Sequence, residues 1–299
     1  MEAGEAERIA IVANPRAGRG RGARVLRRLR RAVEAERVEV TSAPGQAAGL
    51  AHEVAEDGAE LLLVVGGDGT LREVAQGLVD ASRSPAVGLI PAGTCDNQAR
   101  GLGVPVRTEK AIEVALSGAE RPVDVWLWNG EAFLGVAGVG FDAAVANRAG
   151  RFRRVHGTLA YVAGLCATLP KQRPFELAID WPEGQWSGQA WMAAFGNHST
   201  YGGRMRIVPG AVVDDGMLDA VVVGEMSRPR LFTHFPRVFR GTHTQVPGVH
   251  TARAGWFGVR ASGEYVILDG DVVGTLPAVV ARAQRPLVVR VPREQGEGA

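Results

Sequence analysis

The stretch Leu61–Leu78, LLLVVGGDGTLREVAQGL, decides the fold. Leu61–Val65 is a continuous apolar run, the pattern of a strand buried on both faces of a parallel sheet. Leu71, Val74, Ala75 and Leu78 then recur at helical spacing. Between strand and helix lies Gly66-Gly67-Asp68-Gly69-Thr70. Glycines allow the sharp turn and let backbone N–H groups approach phosphate oxygens. The new helix adds unpaired N–H groups and the positive end of its dipole. Asp68 repels a bare phosphate, so it asks for a metal, a ribose or a basic partner. A tight turn with no ligand is the plainer reading of the same residues.

Outward from this unit the pattern repeats. Ile9–Ala13, Val38–Ser42 and Val87–Ile90 read as further strands. Ala47, Leu50, Ala51 and Val54 keep helical spacing, and Thr108–Ser117 is a helix that Gly118 can stop. Two more glycine-bearing loops follow strands, Asn14–Gly20 and Pro91–Thr94. Ligands of open parallel sheets bind at the carboxyl ends of the strands, so three such loops predict a nucleotide cleft. After Arg121 the grammar changes. Val123–Trp128 and Ala132–Ala137 flank the hairpin signal Asn129-Gly130. Strand-like runs follow at Phe175–Trp181, Gln189–Phe195, Leu218–Val223, Trp256–Arg260, Glu264–Leu268 and Leu287–Val291. Helical patterns near Gly157–Leu169 and Arg230–Phe239 interrupt them. The expectation is an α/β N-terminal domain over residues 1–121 with a parallel sheet. A mainly antiparallel β domain over residues 122–299 follows it, with a last strand free to return to the first domain.

With 299 residues, 46% of them hydrophobic and 22% charged, the chain is a globular protein of two domains rather than a disordered one. Its 40 glycines are about twice the usual share, which suits turns and close backbone approach to ligands. A net charge of +2 gives no electrostatic case for nucleic acid as a partner. Two cysteines, Cys95 and Cys166, are too few for a disulfide framework or a zinc cluster. The start of the chain lacks the basic and long apolar regions of a signal peptide, and no apolar run reaches the ~20 residues that span a bilayer. A cytoplasmic protein is expected.

Taken in order, these motifs resemble the diacylglycerol kinase catalytic-domain superfamily, the bacterial diacylglycerol and lipid kinases with their sphingosine and ceramide kinase relatives. Asn14–Gly18 matches the family's Asn-Pro-x-(Ser/Ala)-Gly loop, and Gly66–Thr70 its Gly-Gly-Asp-Gly-Thr loop in full. Pro91–Arg100, Arg121–Asp124, Gly140–Ala143, Tyr201–Gly203, Pro209–Ala211, Asp215–Leu218 and Asp269–Asp271 match later blocks, colinear from Ile9 to Pro292. The family's Asn-Asp pair is reversed here to Asp96-Asn97, and its Asp-Gly-Glu is Asp269-Gly270-Asp271.

The fold this implies is an NAD-kinase/diacylglycerol-kinase-like α/β domain followed by a β-sandwich. The resemblance implies that Asn14, Pro15, Arg16, Ala17, Gly18, Thr41, Gly66, Gly67, Asp68, Gly69, Thr70, Leu71, Arg72 and Thr94 line an ATP site. It implies that Asp68, Asp96 or Asn97, and Asp124 hold Mg·ATP, with Arg19 and Arg100 neutralising charge. Asp271 is then the base for the acceptor hydroxyl, with Asp269 beside it as a metal or water partner; a plain Asp-Gly surface turn is the alternative. Asp215, with the carbonyls of Val212 and Met217, is implied as a structural cation site, against a turn braced by the Asp side chain.

The expected activity is transfer of the γ-phosphate of Mg·ATP to a lipid hydroxyl, with diacylglycerol as the acceptor. The alternatives are a kinase for a soluble acceptor such as NAD, or a degenerate nucleotide- or lipid-binding protein. Expected partners are a lipid with a free hydroxyl and, transiently, a membrane surface; a homodimer is admissible. Arg148–Arg154 with Leu159–Leu169, and Leu231, Phe232, Phe235 and Phe239 among basic residues, suit an anionic membrane surface or a core. Arg24–Arg31 reads as lipid-facing or as a solvated helix face.

Overall fold

In this computed structural model the strand Leu61–Gly66 is fully buried, as its unbroken apolar run requires. The structure describes residues 7–140, 172–200 and 205–293. The patterns at Arg148–Arg154 and Gly157–Leu169, most of Gly140–Ala143, and Tyr201–Gly203 lie outside the described residues. The contacts divide the chain into two units, with breaks after Val123 and after Ala283.

The first unit holds strands β1 (Ile9–Ala13), β2 (Arg37–Val40), β3 (Leu61–Gly66), β4 (Ala86–Pro91) and β5 (Ala119–Val123). Its helices are α1 (Ala17–Ala32), α2 (Gln46–Glu56), α3 (Asp68–Val79), α4 (Asn97–Gly101) and α5 (Thr108–Ser117). The last strand, β17 (Leu287–Val291), completes its sheet in the order β2-β1-β3-β4-β17-β5. The first five strands of that order run parallel and β5 runs antiparallel to β17. Each βα crossover lays an amphipathic helix on the sheet. Val25, Leu26 and Leu29 of α1 and Ala111, Ile112 and Ala115 of α5 pack on Ile11, Leu63 and Ile90. The kink within α1, at Gly18–Gly20, separates a loop from the regular helix.

The second unit contains β6 (Trp126–Trp128), β7 (Glu131–Phe133), β8 (Val136–Gly140), β9 (Phe175–Trp181), β10 (Gly184–Gly196) and β11 (Leu218–Gly224). It continues with α6 (Arg228–His234), β12 (Val249–Ala254), β13 (Trp256–Ala261), β14 (Val266–Leu268), β15 (Asp271–Gly274) and β16 (Ala278–Arg282). All of its strand pairs are antiparallel. Thirteen residues long, β10 pairs with β9 through Gly184–Ala190 and with β8 through Met192–Gly196, with an irregularity between Ala190 and Met192 beside β11. A long strand that changes partner at a bulge is how one sheet folds over into a sandwich. The core between the layers is aromatic, with Phe195 edge-on to Trp128 at 5.7 Å and to Phe257 at 5.3 Å.

Two expected strands are divided. The run Val123–Trp128 breaks at Asp124, whose N–H donates to Val213 O and whose carbonyl accepts from Asn197 Nδ2. The run Ala132–Ala137 breaks at Leu134-Gly135, whose N–H groups donate to the Asp269 carboxylate. In both places side-chain partners take backbone groups that a ladder needs. No helix among the described residues is long and apolar enough to cross a membrane.

Candidate active site

The three glycine loops meet at the carboxyl ends of β1, β3 and β4. After β1, the Asn14 N–H donates to Val65 O (2.8 Å), its Nδ2 donates to Thr70 Oγ1 (3.2 Å), and its Oδ1 accepts the Arg16 N–H (3.0 Å). Gly18, Arg19 and Gly20 follow with φ of 53, 60 and 88°. Consecutive left-handed residues make a tight turn that the Gly20 N–H closes by donating to Arg16 O (3.3 Å). For Arg19 that conformation costs roughly 1–2 kcal/mol, the kind of strain kept where a loop must hold a ligand.

Close approach explains the glycines. A Cβ on Gly18 would stand 2.2 Å from Ala92 O. One on Gly93 would stand 2.7 Å from Gly67 Cα and 2.6 Å from Asp96 Oδ1. The first loop therefore packs backbone to backbone on the third, and the third on the second.

Two carboxylates lock this arrangement. Asp68 accepts the N–H groups of Asn97 (3.0 Å) and Gln98 (2.9 Å) and the Asn97 side-chain amide (3.3 Å), so it caps α4 from another loop. A backbone partner of this kind was not among those that the sequence reading weighed for Asp68. Asp96 is buried in the left-handed region (φ 50°) and accepts the Gly93 N–H at 2.7 Å and Arg21 Nη2 at 3.1 Å. Arg21 Nη2 also donates to Pro91 O (2.8 Å). The reversed pair Asp96-Asn97 thus has two separate partners, Arg21 for the acid and Asp68 for the amide. Burial first, and then the charges of Asp68 and Asp96, push the Cys95 thiol up. Thr41, Thr70 and Arg72 are buried at the same edge, Leu71 is a core residue of α3, Arg16, Arg19 and Thr94 are exposed, and Arg100 Nε donates to Cys95 O (3.1 Å).

The second unit carries Asp124, Asp215, Asp269 and Asp271. Asp124 is buried; its Oδ2 accepts the Gly216 N–H (2.7 Å) and its Oδ1 accepts Arg282 Nη1 (3.2 Å). Asn197, fully buried, links its neighbourhood to that of Asp269. Its Nδ2 donates to Asp124 O (2.9 Å) and Leu134 O (3.1 Å), and its Oδ1 accepts the Trp126 indole N–H (2.9 Å). Asp269 accepts three backbone N–H groups, from Leu134 (2.8 Å), Gly135 (2.8 Å) and Val136 (3.0 Å). Asp269 and Gly270, with φ of 51 and 97°, form the two-residue turn between β14 and β15. Asp269 is therefore the pin of this hairpin, and Asp271 stands exposed at its tip.

Asp215 accepts the Met217 N–H (2.9 Å) and pairs with Arg253. The Met217 N–H and the Arg253 guanidinium brace the turn at Asp215, the position for which a cation held with the carbonyls of Val212 and Met217 is the other expectation. Among the described residues no group of three His, Cys, Asp or Glu could hold a metal ion.

Residues 8–128 match the model of the diacylglycerol kinase catalytic domain, and residues 135–292 match that of the YegS C-terminal NAD kinase beta sandwich-like domain. A diacylglycerol kinase of Mycobacterium tuberculosis is 36% identical over 244 residues, covering 79% of this chain and 78% of that protein.

The chain belongs to the diacylglycerol kinase family.

A family member from Bacillus subtilis, also named diacylglycerol kinase, is 28% identical over 97% of this chain and 98% of its own. The crystal structure of a diacylglycerol kinase from Bacillus anthracis shares the fold, with a TM-score of 0.75 at 23% identity over 95% of this chain and 97% of that one. Membership makes the chain a kinase, and the motifs that carried the resemblance are those around which the loops are built. Two residues of this family member escaped sequence reading. Arg21 is one arginine in the run Arg19–Arg31, with nothing local to set it apart from solvated neighbours. Asn197 has partners more than sixty positions away.

Proposed function

We propose that the chain transfers the γ-phosphate of Mg·ATP to the free hydroxyl of diacylglycerol, giving phosphatidic acid. The observation that carries this reading is the packing of three glycine loops, through Gly18 on Ala92 and Gly93 on Gly67, at the carboxyl ends of the parallel strands in a diacylglycerol kinase family member. Phosphoryl transfer asks mainly for positioning and charge stabilisation, and glycine loops that let the backbone approach phosphate closely suit the first of these. Arg16, Arg19 and Arg100 add positive charge at the rim. Asp68, Asp96 or Asn97, and Asp124 are the residues that would hold the magnesium ion that ATP brings, directly or through water.

In the transfer itself, the acceptor oxygen forms a bond to the γ-phosphorus as the bond to the ADP oxygen breaks. ADP leaves with that electron pair, and the hydroxyl proton passes to the Asp271 carboxylate. The roles divide cleanly between the two carboxylates of the hairpin. Asp269, engaged by three N–H groups, holds the turn and is assigned as metal or water partner, and Asp271, exposed at the tip, is assigned as the proton acceptor. The experiment is a transfer assay with labelled ATP against diacylglycerol, a sphingoid base and NAD. Label in phosphatidic acid supports the proposal. Label in NADP alone replaces it with a soluble-acceptor kinase, and ATP binding without transfer to any acceptor replaces it with a binding protein.

A further inference from the structure

The segment Arg228–Arg240 reads RPRLFTHFPRVFR: four arginines, one histidine and no carboxylate. It forms α6 and the 3-10 turn Phe235–Phe239. Its inner side is seated on the β unit. Val238 is buried, and Leu231, Phe235 and Phe239 pack against two small clusters built on Trp191 with Met226 and on Val208 with Val221. The Arg228 guanidinium lies 5.6 Å over the Trp191 ring and donates to Gln172 O, which ties down the start of the helix.

The outer side has a different character. No residue of α6 is buried, and Arg230, Arg237 and Arg240 are exposed. Arg206, also exposed, adds a further charge beside them, since its N–H donates to Val238 O (2.9 Å). Phe232, between Arg230 and Arg237 in sequence, is 52% exposed. Asp124, Asp180, Asp215 and Asp219 pair with Arg282, Arg260 and Arg253. The segment is thus of one sign, with an exposed aromatic ring lying between its arginines in sequence. The chain as a whole is nearly neutral, so the clustering is local.

We propose that this face docks the β unit onto an anionic lipid surface, with Arg230, Arg237 and Arg240 on headgroup phosphates and Phe232 at the acyl boundary. A short amphipathic helix with arginines on one side and an aromatic on the other lies in the plane of such an interface. Nucleic acid would satisfy the arginines as well, but it gives Phe232 no apolar medium, and the exposed ring decides for lipid. The reading of the chain as a lipid kinase gives the docking its purpose, while the binding itself rests on the face alone.

The test is co-sedimentation of the full chain with phosphatidylcholine vesicles, with and without phosphatidylglycerol. Each arginine near an anionic surface contributes roughly fivefold in partitioning, so Arg237→Glu with Arg240→Glu should weaken binding at least about 25-fold. Phe232→Ser should weaken it about tenfold and leave its salt dependence unchanged. Wild type should bind the anionic vesicles, release in high salt and ignore the neutral ones. Equal binding to both vesicles, unchanged binding of the double variant at an unchanged melting temperature, or tighter binding to a DNA fragment than to the anionic vesicles would each overturn the proposal. Transfer to a short-chain diacylglycerol in solution separates this from the functional reading. The double variant should match wild type there, and failure of both proteins to phosphorylate it would count against the lipid kinase and leave the docking result standing.

Discussion

The loops of the α/β unit and the hairpin of the β unit hold functional residues by opposite means. At the loops the backbone does the holding. Gly18 meets Ala92 and Gly67 meets Gly93 at distances that exclude a Cβ, and Asp68 and Asp96 reach partners on the next loop. At the hairpin, buried side chains brace backbone that is distant in sequence. Asp269 receives N–H groups from positions more than 130 residues earlier, and Asn197 ties those positions to Asp124. The first device fixes the shape of the loops proposed to bind the nucleotide. The second presents one carboxylate, Asp271, on a rigid turn. The contrast suggests a division of labour, with binding in the loops and proton transfer in the hairpin.

The sharpest way to break that division is Asp271→Asn. Transfer should fall about a thousandfold with the ATP dissociation constant unchanged, since a positioned base contributes factors of this order to rate and nothing to nucleotide affinity. Equal loss of both, by single-turnover kinetics and calorimetry, would place the hairpin in the nucleotide grip. A pH measurement sharpens the comparison from the side of stability. His198 is buried in the β unit, and that burial holds its imidazole down to about 4. An unfolded histidine titrates near its ordinary 6.5, so between these values the unfolded chain binds the extra proton. The stabilisation is complete above pH 6.5 and is lost as pH falls toward 4, by an amount on the order of 3 kcal/mol. Chemical denaturation at pH 7 and pH 4.5 should show that loss, and His198→Gln should lose less on acidification than wild type does.

Asp269→Ala should cost about 2–3 kcal/mol of unfolding free energy by urea titration, because three backbone N–H groups lose a charged acceptor. It should lower transfer while leaving ATP binding intact. Gly18→Ala is the smallest effect and the mirror image of the others. A left-handed position and an overlap with Ala92 O should weaken ATP about tenfold, and the rate at saturating ATP should stay close to wild type. A Gly18 variant with normal affinity and slow turnover would invert the roles assigned to the two regions.

The same contrast explains what could be read in advance. Elements set by local pattern stand where their sequences place them: Ile9–Ala13, Thr108–Ser117, Phe175–Trp181 and Leu287–Val291 coincide with β1, α5, β9 and β17. The phosphate-type loops were legible for the same reason, since glycine need is written at the position that requires it. The partners of Asp68, Asp96, Asp124 and Asp269 were not, because each is chosen by the fold from residues that look ordinary in sequence. Ala119–Val123, with Glu120, Arg121 and Pro122, has no strand pattern and becomes β5 by lying along β17. Membership in the family carries the resemblance over nearly the whole chain, and the side-chain network within each unit is what it leaves to the structure.

The place of β17 has a consequence for how the chain is made. This strand sits between β4 and β5, yet it leaves the ribosome only after the whole of the β unit. Until then the nascent α/β sheet lacks the rung that joins β4 to the edge strand β5, and the apolar flank of Val87 waits for Val289. The seam therefore closes only after the β unit is made, and a chain cut short before Leu287 would keep every glycine loop on an open-edged sheet prone to pair with its neighbours.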